Sequence, residues 1–142
     1  MECVADTKHR ELLIEGEGLN EKSMSVVSPI VKTNEEEGDD VKLDKAGQRK
    51  FRGSAARAHS RGLDRPDVQY ATKEACRGMA NASVGDTAKV KRMARYLVGS
   101  PNVVWKYGLM PEEELMWIDA LVDSDWAGCH STRKSTSGGI LC

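Results

Sequence analysis

Between Ala46 and Ser100 the apolar residues recur every three or four positions, the period of helices that bury one face. Phe51, Ala55 and Ala58 mark such a face in Ala46–Arg61, ringed by Arg49, Lys50, Arg52, Arg57 and Arg61, which predicts a basic helix with a narrow apolar strip. Pro66 suits a first helical position and Asp67 the positive end of the helix dipole, so a second helix runs through Val68, Ala71, Ala75 and Met79 until Asn81. A third, capped by Asp86, carries Val90, Met93, Ala94 and Leu97 and is stopped by Gly99 and Pro101. Upstream, Asp6–Glu17 places Leu12 and Leu13 among charged residues, a short helix with a thin apolar strip that Gly16 and Gly18 end.

After Pro101 the period falls to two. Val103, Trp105 and Tyr107 alternate with Val104, Lys106 and Gly108; Pro111–Glu114 turns the chain; Met116, Ile118, Ala120 and Val122 then alternate with Trp117, Asp119, Leu121 and Asp123. Ser137–Cys142 begins a further strand and stops, which reads as a truncated element. Ser23–Lys45, with Pro29, Gly38 and the acidic run Glu35, Glu36, Glu37, Asp39, Asp40, is too polar to bury its backbone and is expected to be a flexible linker. Asp39 and Asp40 lack flanking strand residues and read as solvated carboxylates.

The 142 residues suit one modest domain or two small pieces, and four of the seven aromatic residues fall after Pro101, so the large packing groups are unevenly spread. A net charge of -1 rules out a uniformly basic nucleic-acid glue. That total conceals two opposite halves: acidic residues dominate Glu11–Asp44, whereas cations prevail from Gln48 to Tyr107. No apolar run approaches the ~18 residues of a membrane span, and Met1–Gly16 lacks the apolar stretch of a secretory signal. A cytoplasmic or nuclear setting without a membrane partner is therefore expected. Cys3, Cys76, Cys129 and Cys142 form no CxxC pair and are expected to be free thiols; Cys129-His130 with Cys142 does not give tetrahedral zinc spacing.

Two constellations carry candidate chemistry. Asp123-Ser124-Asp125-Trp126 ends the longest strand, where a carboxylate can ligate a hard divalent cation through oxygen or can simply cap the following turn. The basic helices present Arg49, Lys50, Arg52, Arg57, Arg61, Lys73, Arg77, Lys89, Lys91, Arg92 and Arg95, a surface that can contact phosphates without reading sequence or can be plain solvated exterior. Arg133–Gly139 is rich in donors but lacks the order of a P-loop, and reads as a turn between strands.

Together, Asp6-Thr7-Lys8-His9, Leu63-Asp64-Arg65-Pro66-Asp67-Val68, Arg92-Met93-Ala94-Arg95-Tyr96-Leu97-Val98-Gly99-Ser100-Pro101, Asp123-Ser124-Asp125-Trp126-Ala127-Gly128 and Arg133-Lys134-Ser135-Thr136-Ser137-Gly138-Gly139 resemble the Pol polyprotein of copia-type retrotransposons over nearly the whole chain. The resemblance implies the region after the reverse-transcriptase palm: a helical thumb and connection running into the start of a ribonuclease H domain. It makes Asp123 the first metal-binding and catalytic carboxylate, on the first strand of that domain, and Asp125 a supporting metal residue. In such domains two cations (Mg2+ or Mn2+) about 4 Å apart activate water during phosphodiester cleavage. Three further carboxylates are needed, and neither they nor the polymerase Tyr-x-Asp-Asp hairpin occur here, so the implied chain is a fragment between two active sites, inactive alone and binding no metal.

The expected architecture is α+β: a short helix and turn at 1–22, a flexible acidic linker at 23–45, a small helical thumb-like bundle at 46–100, and a connection with an incomplete antiparallel ribonuclease H-like sheet at 101–142. The expected partners are an RNA–DNA or DNA duplex and the rest of the Pol polyprotein, with Lys89, Arg92 and Arg95 the leading nucleic-acid contacts. The alternatives are a non-catalytic duplex-binding module and a relic interaction protein that pairs through the open strand near Ile140.

Overall fold

The computed structural model describes residues 2–4, 7–31, 41–106, 119–128 and 133–141. The acidic run Glu35–Asp40, the turn Pro111–Glu114, the alternation at Met116 and Ile118, and Cys129, His130 and Cys142 lie outside the described residues. Among the described residues the fold is α+β, four α-helices with short antiparallel strand pairs, and the chain divides into two units, Met1–Lys106 and Tyr107–Cys142.

In the first unit, α1 (Lys8–Gly16), α2 (Lys45–Gly62), α3 (Pro66–Arg77) and α4 (Val84–Gly99) enclose one core. Their starts follow local chemistry. Asp44 Oδ1 accepts from the Gly47 amide at 2.8 Å to cap α2, and Pro66 opens α3. For α4 the cap is Ser83 rather than Asp86: Asp86 sits at the third helical position, and the two side chains bond reciprocally to each other's backbone amides. The capping box starts the helix at Val84, three residues earlier than a cap at Asp86 would.

The core is Leu13 and Ile14 from α1, Phe51, Ala55 and Ala58 from α2, Val68, Ala71 and Ala75 from α3, and Val90, Met93, Ala94 and Leu97 from α4, with Ala82 between elements. Small residues let α2 and α3 approach closely. A Cβ on Gly62 would lie 2.7 Å from Thr72 Oγ1, closer than packed atoms sit, so the crossing requires glycine there.

Isolated apolar residues without a period tie the connecting segments to this core. Leu19, Ile30 and Leu43 pack on it, Arg95 Nε donates to the Met24 carbonyl at 2.9 Å, and a Cβ on Gly99 would come within 2.7 Å of Ser25 Cβ. Gln48 exchanges two hydrogen bonds with the backbone of Ala82, at 2.9 and 3.0 Å. The Leu43 amide donates to the Ala82 carbonyl at 3.0 Å, and the Val84 amide to the Val41 carbonyl at 2.9 Å.

The C-terminal end of α4 is gripped by three buried arginines. Arg10 Nε donates to the Leu97 carbonyl at 3.0 Å, Arg61 Nη2 and Arg65 Nη1 to the Pro101 carbonyl at 3.2 Å each, and Arg65 Nη2 to the Ser100 carbonyl at 3.0 Å. The Leu97 carbonyl in the last turn and that of the C-cap Ser100 belong to the helix end, which carries the negative end of the dipole, and Pro101 follows directly. Arg65, fully buried, also holds Asp67 through two bonds of 2.8 and 2.6 Å, and Tyr96 Oη donates to the same carboxylate at 2.8 Å. Arg61, expected on the basic surface, is only 2% exposed; its guanidinium serves the helix end instead.

Beyond that end, β2 (Val104–Lys106) pairs antiparallel with β1 (Glu2–Val4), Cys3 opposite Trp105. Three residues are too few to show a period, so β1 left no signal in the sequence. In the second unit β3 (Ala120–Ser124) pairs antiparallel with β4 (Ser137–Leu141), Ala120 opposite Leu141 and Asp123 opposite Gly138. Every residue of both strands is exposed.

Burial alone would raise the Asp67 carboxyl, but the bonds from Arg65 and Tyr96 outweigh it and hold it below the ordinary range. Glu74 and Asp86 shift the same way: burial opposes, while Lys73 and Arg77 lower the first, and the Ser83 amide with Lys89 lowers the second. A carboxyl whose folded pKa is depressed stabilises the fold above its unfolded pKa and loses that contribution as pH falls through the folded value. Unfolding monitored by urea titration should therefore ease below about pH 4, with a shallower pH dependence in Asp67→Asn. Asp67→Ala at neutral pH should cost about 3 kcal/mol by stranding the buried Arg65 charge; an unchanged urea midpoint would contradict the network's role.

Candidate nucleic-acid interface

Helix α2 contains no acidic residue. Its core face is fixed by Phe51, Ala55 and Ala58, so positions four and seven residues after Lys45 fall on the opposite side. Lys45, Arg49 and Arg52 occupy them, all exposed, and among the described residues none of the three belongs to an ion pair. The stripe extends about 10 Å along the helix axis. Lys50 stands exposed to one side of it and Arg57 half-buried.

The cations of α3 and α4 are differently placed. Lys73 and Arg77 both pair with Glu74, at 2.9 and 3.1 Å, and Lys73 Nζ lies 5.1 Å from the centre of the Tyr70 ring. Lys89 pairs with Asp86 at 3.1 Å. Arg92 is half-buried, and Arg95 is engaged by the Met24 carbonyl. The three residues singled out on α4 are thus exposed, half-buried and carbonyl-bound in turn, while Lys45, the start of the α2 stripe, is the last residue of the segment expected as a linker. Its signal is the absence of any carboxylate over the whole of Lys45–Gly62.

In the second unit the two aspartates do different things. Asp123, on β3, is exposed, and one carboxylate oxygen accepts from the next residue's amide, Ser124, at 2.8 Å. Asp125 lies just beyond the strand and fastens the hairpin: its amide donates to the Thr136 carbonyl at 3.0 Å, and its Oδ1 accepts from the Thr136 amide. Ser135 Oγ accepts from the Ala127 amide at 3.0 Å, and Ala127 and Arg133 take left-handed backbone, with φ of 48° and 54°, to reverse the chain. Among the described residues no three His, Cys, Asp or Glu side chains converge as a cation site. Of these two aspartates, Asp123 is open and Asp125 is committed to the turn.

Over 76 residues, 54% of its length, the chain is 37% identical to an uncharacterised mitochondrial protein of Arabidopsis thaliana, covering 30% of that protein. Over 92 residues, 64% of its length, it is 29% identical to the retrovirus-related Pol polyprotein from transposon RE1 of Arabidopsis thaliana, covering 6% of that polyprotein. No family model and no solved structure matches the chain.

If Asp125 holds the hairpin, Asp125→Ala should speed amide hydrogen exchange at Thr136 by at least about tenfold, while Asp123→Ala leaves that amide unchanged. Equal exchange in all three proteins would show that the carboxylate does not fasten the turn.

Proposed function

Because the chain is a copia-type retrotransposon Pol-derived protein, we propose that its first unit is the part of a reverse transcriptase that holds a nucleic-acid duplex by its phosphates. The observation that carries this reading is the α2 stripe: Lys45, Arg49 and Arg52 share one exposed face of a helix without a carboxylate, while Lys73 and Arg77 share Glu74 and Lys89 pairs with Asp86. Phosphate contact of this kind is independent of sequence, as copying any template requires. The acidic residue beside the stripe is the cap Asp44, whose Oδ1 is engaged by the Gly47 amide, and within α2 itself there is none.

The second unit is, in the same proposal, the opening hairpin of a ribonuclease H domain. Asp123 would supply the first of several carboxylates for the cation pair, the others coming from elsewhere in the longer polyprotein. Its exposed position on β3 supports that role, and the turn-holding bonds of Asp125 support a secondary one. The chain alone is then expected to leave the RNA strand of an RNA–DNA hybrid intact in Mg2+. Cleavage by the purified chain that Asp123→Asn abolishes would overturn this.

The test of the stripe is a salt titration of duplex affinity by fluorescence anisotropy. Arg49→Gln with Arg52→Gln should weaken binding of any duplex sequence and reduce the slope of log affinity against log salt by about 0.9 for each lost contact on DNA. Lys89→Gln should have a smaller effect, since Asp86 already offsets that charge. Unchanged affinity and slope in the double variant would remove α2 as the interface.

A further inference from the structure

Two turns past Arg52, α2 brings His59 into the lining of a groove of about 390 Å³ between the end of α2 and α3. The walls are largely apolar: Leu63, 74% exposed and so covered by nothing on its outer side, Gly62 and Cys76. The polar members of the lining are His59, Gln69, Thr72 and the cations Lys73 and Arg77. This volume falls within the range of small-molecule sites, which combine apolar walls with a few orienting polar groups.

We propose that this groove takes the base of an unpaired nucleotide at the end of the backbone held by α2, a site that rests on the phosphate-binding reading above. Three features fit that ligand together. His59 and Leu63 in the lining can supply an imidazole and an apolar surface to a nucleobase, the Gln69 amide has a donor and an acceptor for a base edge, and Lys73 and Arg77, which share the single carboxylate of Glu74, keep a net positive charge for a neighbouring phosphate. An apolar small molecule would leave those polar groups unused, and a bare phosphate would leave the apolar walls uncovered. Cys76 contributes wall rather than chemistry: burial pushes its thiol pKa up, away from the reactive thiolate. The depth of the groove depends on Gly62, since the α2–α3 approach at Thr72 leaves no room there for a side chain.

The experiment compares the full chain's affinity for a blunt RNA–DNA duplex with that for the same duplex carrying a short unpaired overhang. The overhang should tighten binding about tenfold, the scale of one base stacked in a protein site. Leu63→Ser with Gln69→Ala, both exposed positions, should erase that gain and leave blunt-duplex affinity as it was, with helical circular dichroism unchanged. Equal affinity of the wild-type chain for both duplexes, each lost in Arg49→Gln with Arg52→Gln, would overturn the groove and leave the phosphate stripe standing. An overhang gain that survives the Leu63 and Gln69 changes would equally overturn it, and absence of binding to either duplex at low salt would overturn both readings.

Discussion

The end of α4 is where the first unit is held together. A helix end exposes several carbonyls with no partner of their own, and here Leu97, Ser100 and Pro101 are met by guanidinium groups from α1, α2 and the start of α3. Burying three arginines in a core made largely of alanine, valine and leucine is unfavourable unless each finds acceptors. The helix end provides them, and Asp67, steadied by Tyr96, compensates Arg65. One helix terminus thereby fixes three other elements, and the chain leaves it already aligned for the β1–β2 pairing.

That arrangement decides which cations are left for a partner. Arg10, Arg61 and Arg65 are consumed inside; Lys73 and Arg77 share Glu74, and Lys89 pairs with Asp86; Arg95 holds the segment at Met24. Among the described helices, the exposed cations outside any ion pair include the outer face of α2 and Lys91 on α4. A chain of net charge -1 can therefore present a cationic surface, because its acidic residues sit elsewhere or are spent locally. The separation of buried, paired and open basic residues, rather than their number, gives the unit a cationic side, the one proposed to contact phosphates.

Much of this was legible before any coordinates. The faces of α2, α3 and α4 followed from Phe51, Ala55, Val68, Ala71, Val90 and Leu97 at helical spacing, and the alternation through Ala120 and Val122 marked β3. The rest depended on contacts distant in the chain. Arg61 looks like every other surface arginine of a basic helix; only the position of Pro101, forty residues on, reveals its task. Strand β1 is too short for a period and exists through its partner. Asp123 and Asp125 look alike in sequence, and the hydrogen bonds to Thr136 separate an open carboxylate from one spent on a turn. Leu19 and Ile30, lone apolar residues, gave no pattern by which their segment's packing was foreseeable.

The claim that α2 presents the nucleic-acid surface is tested most directly by nuclear magnetic resonance of the backbone amides during titration with a short blunt RNA–DNA duplex. The account predicts that the largest shifts fall on Lys45, Arg49, Arg52 and the residues beside them, and that the amides of Lys89, Arg92 and Arg95 move less. Shifts centred on α4 with α2 unmoved, or a spectrum unaffected by duplex at low salt, would contradict it.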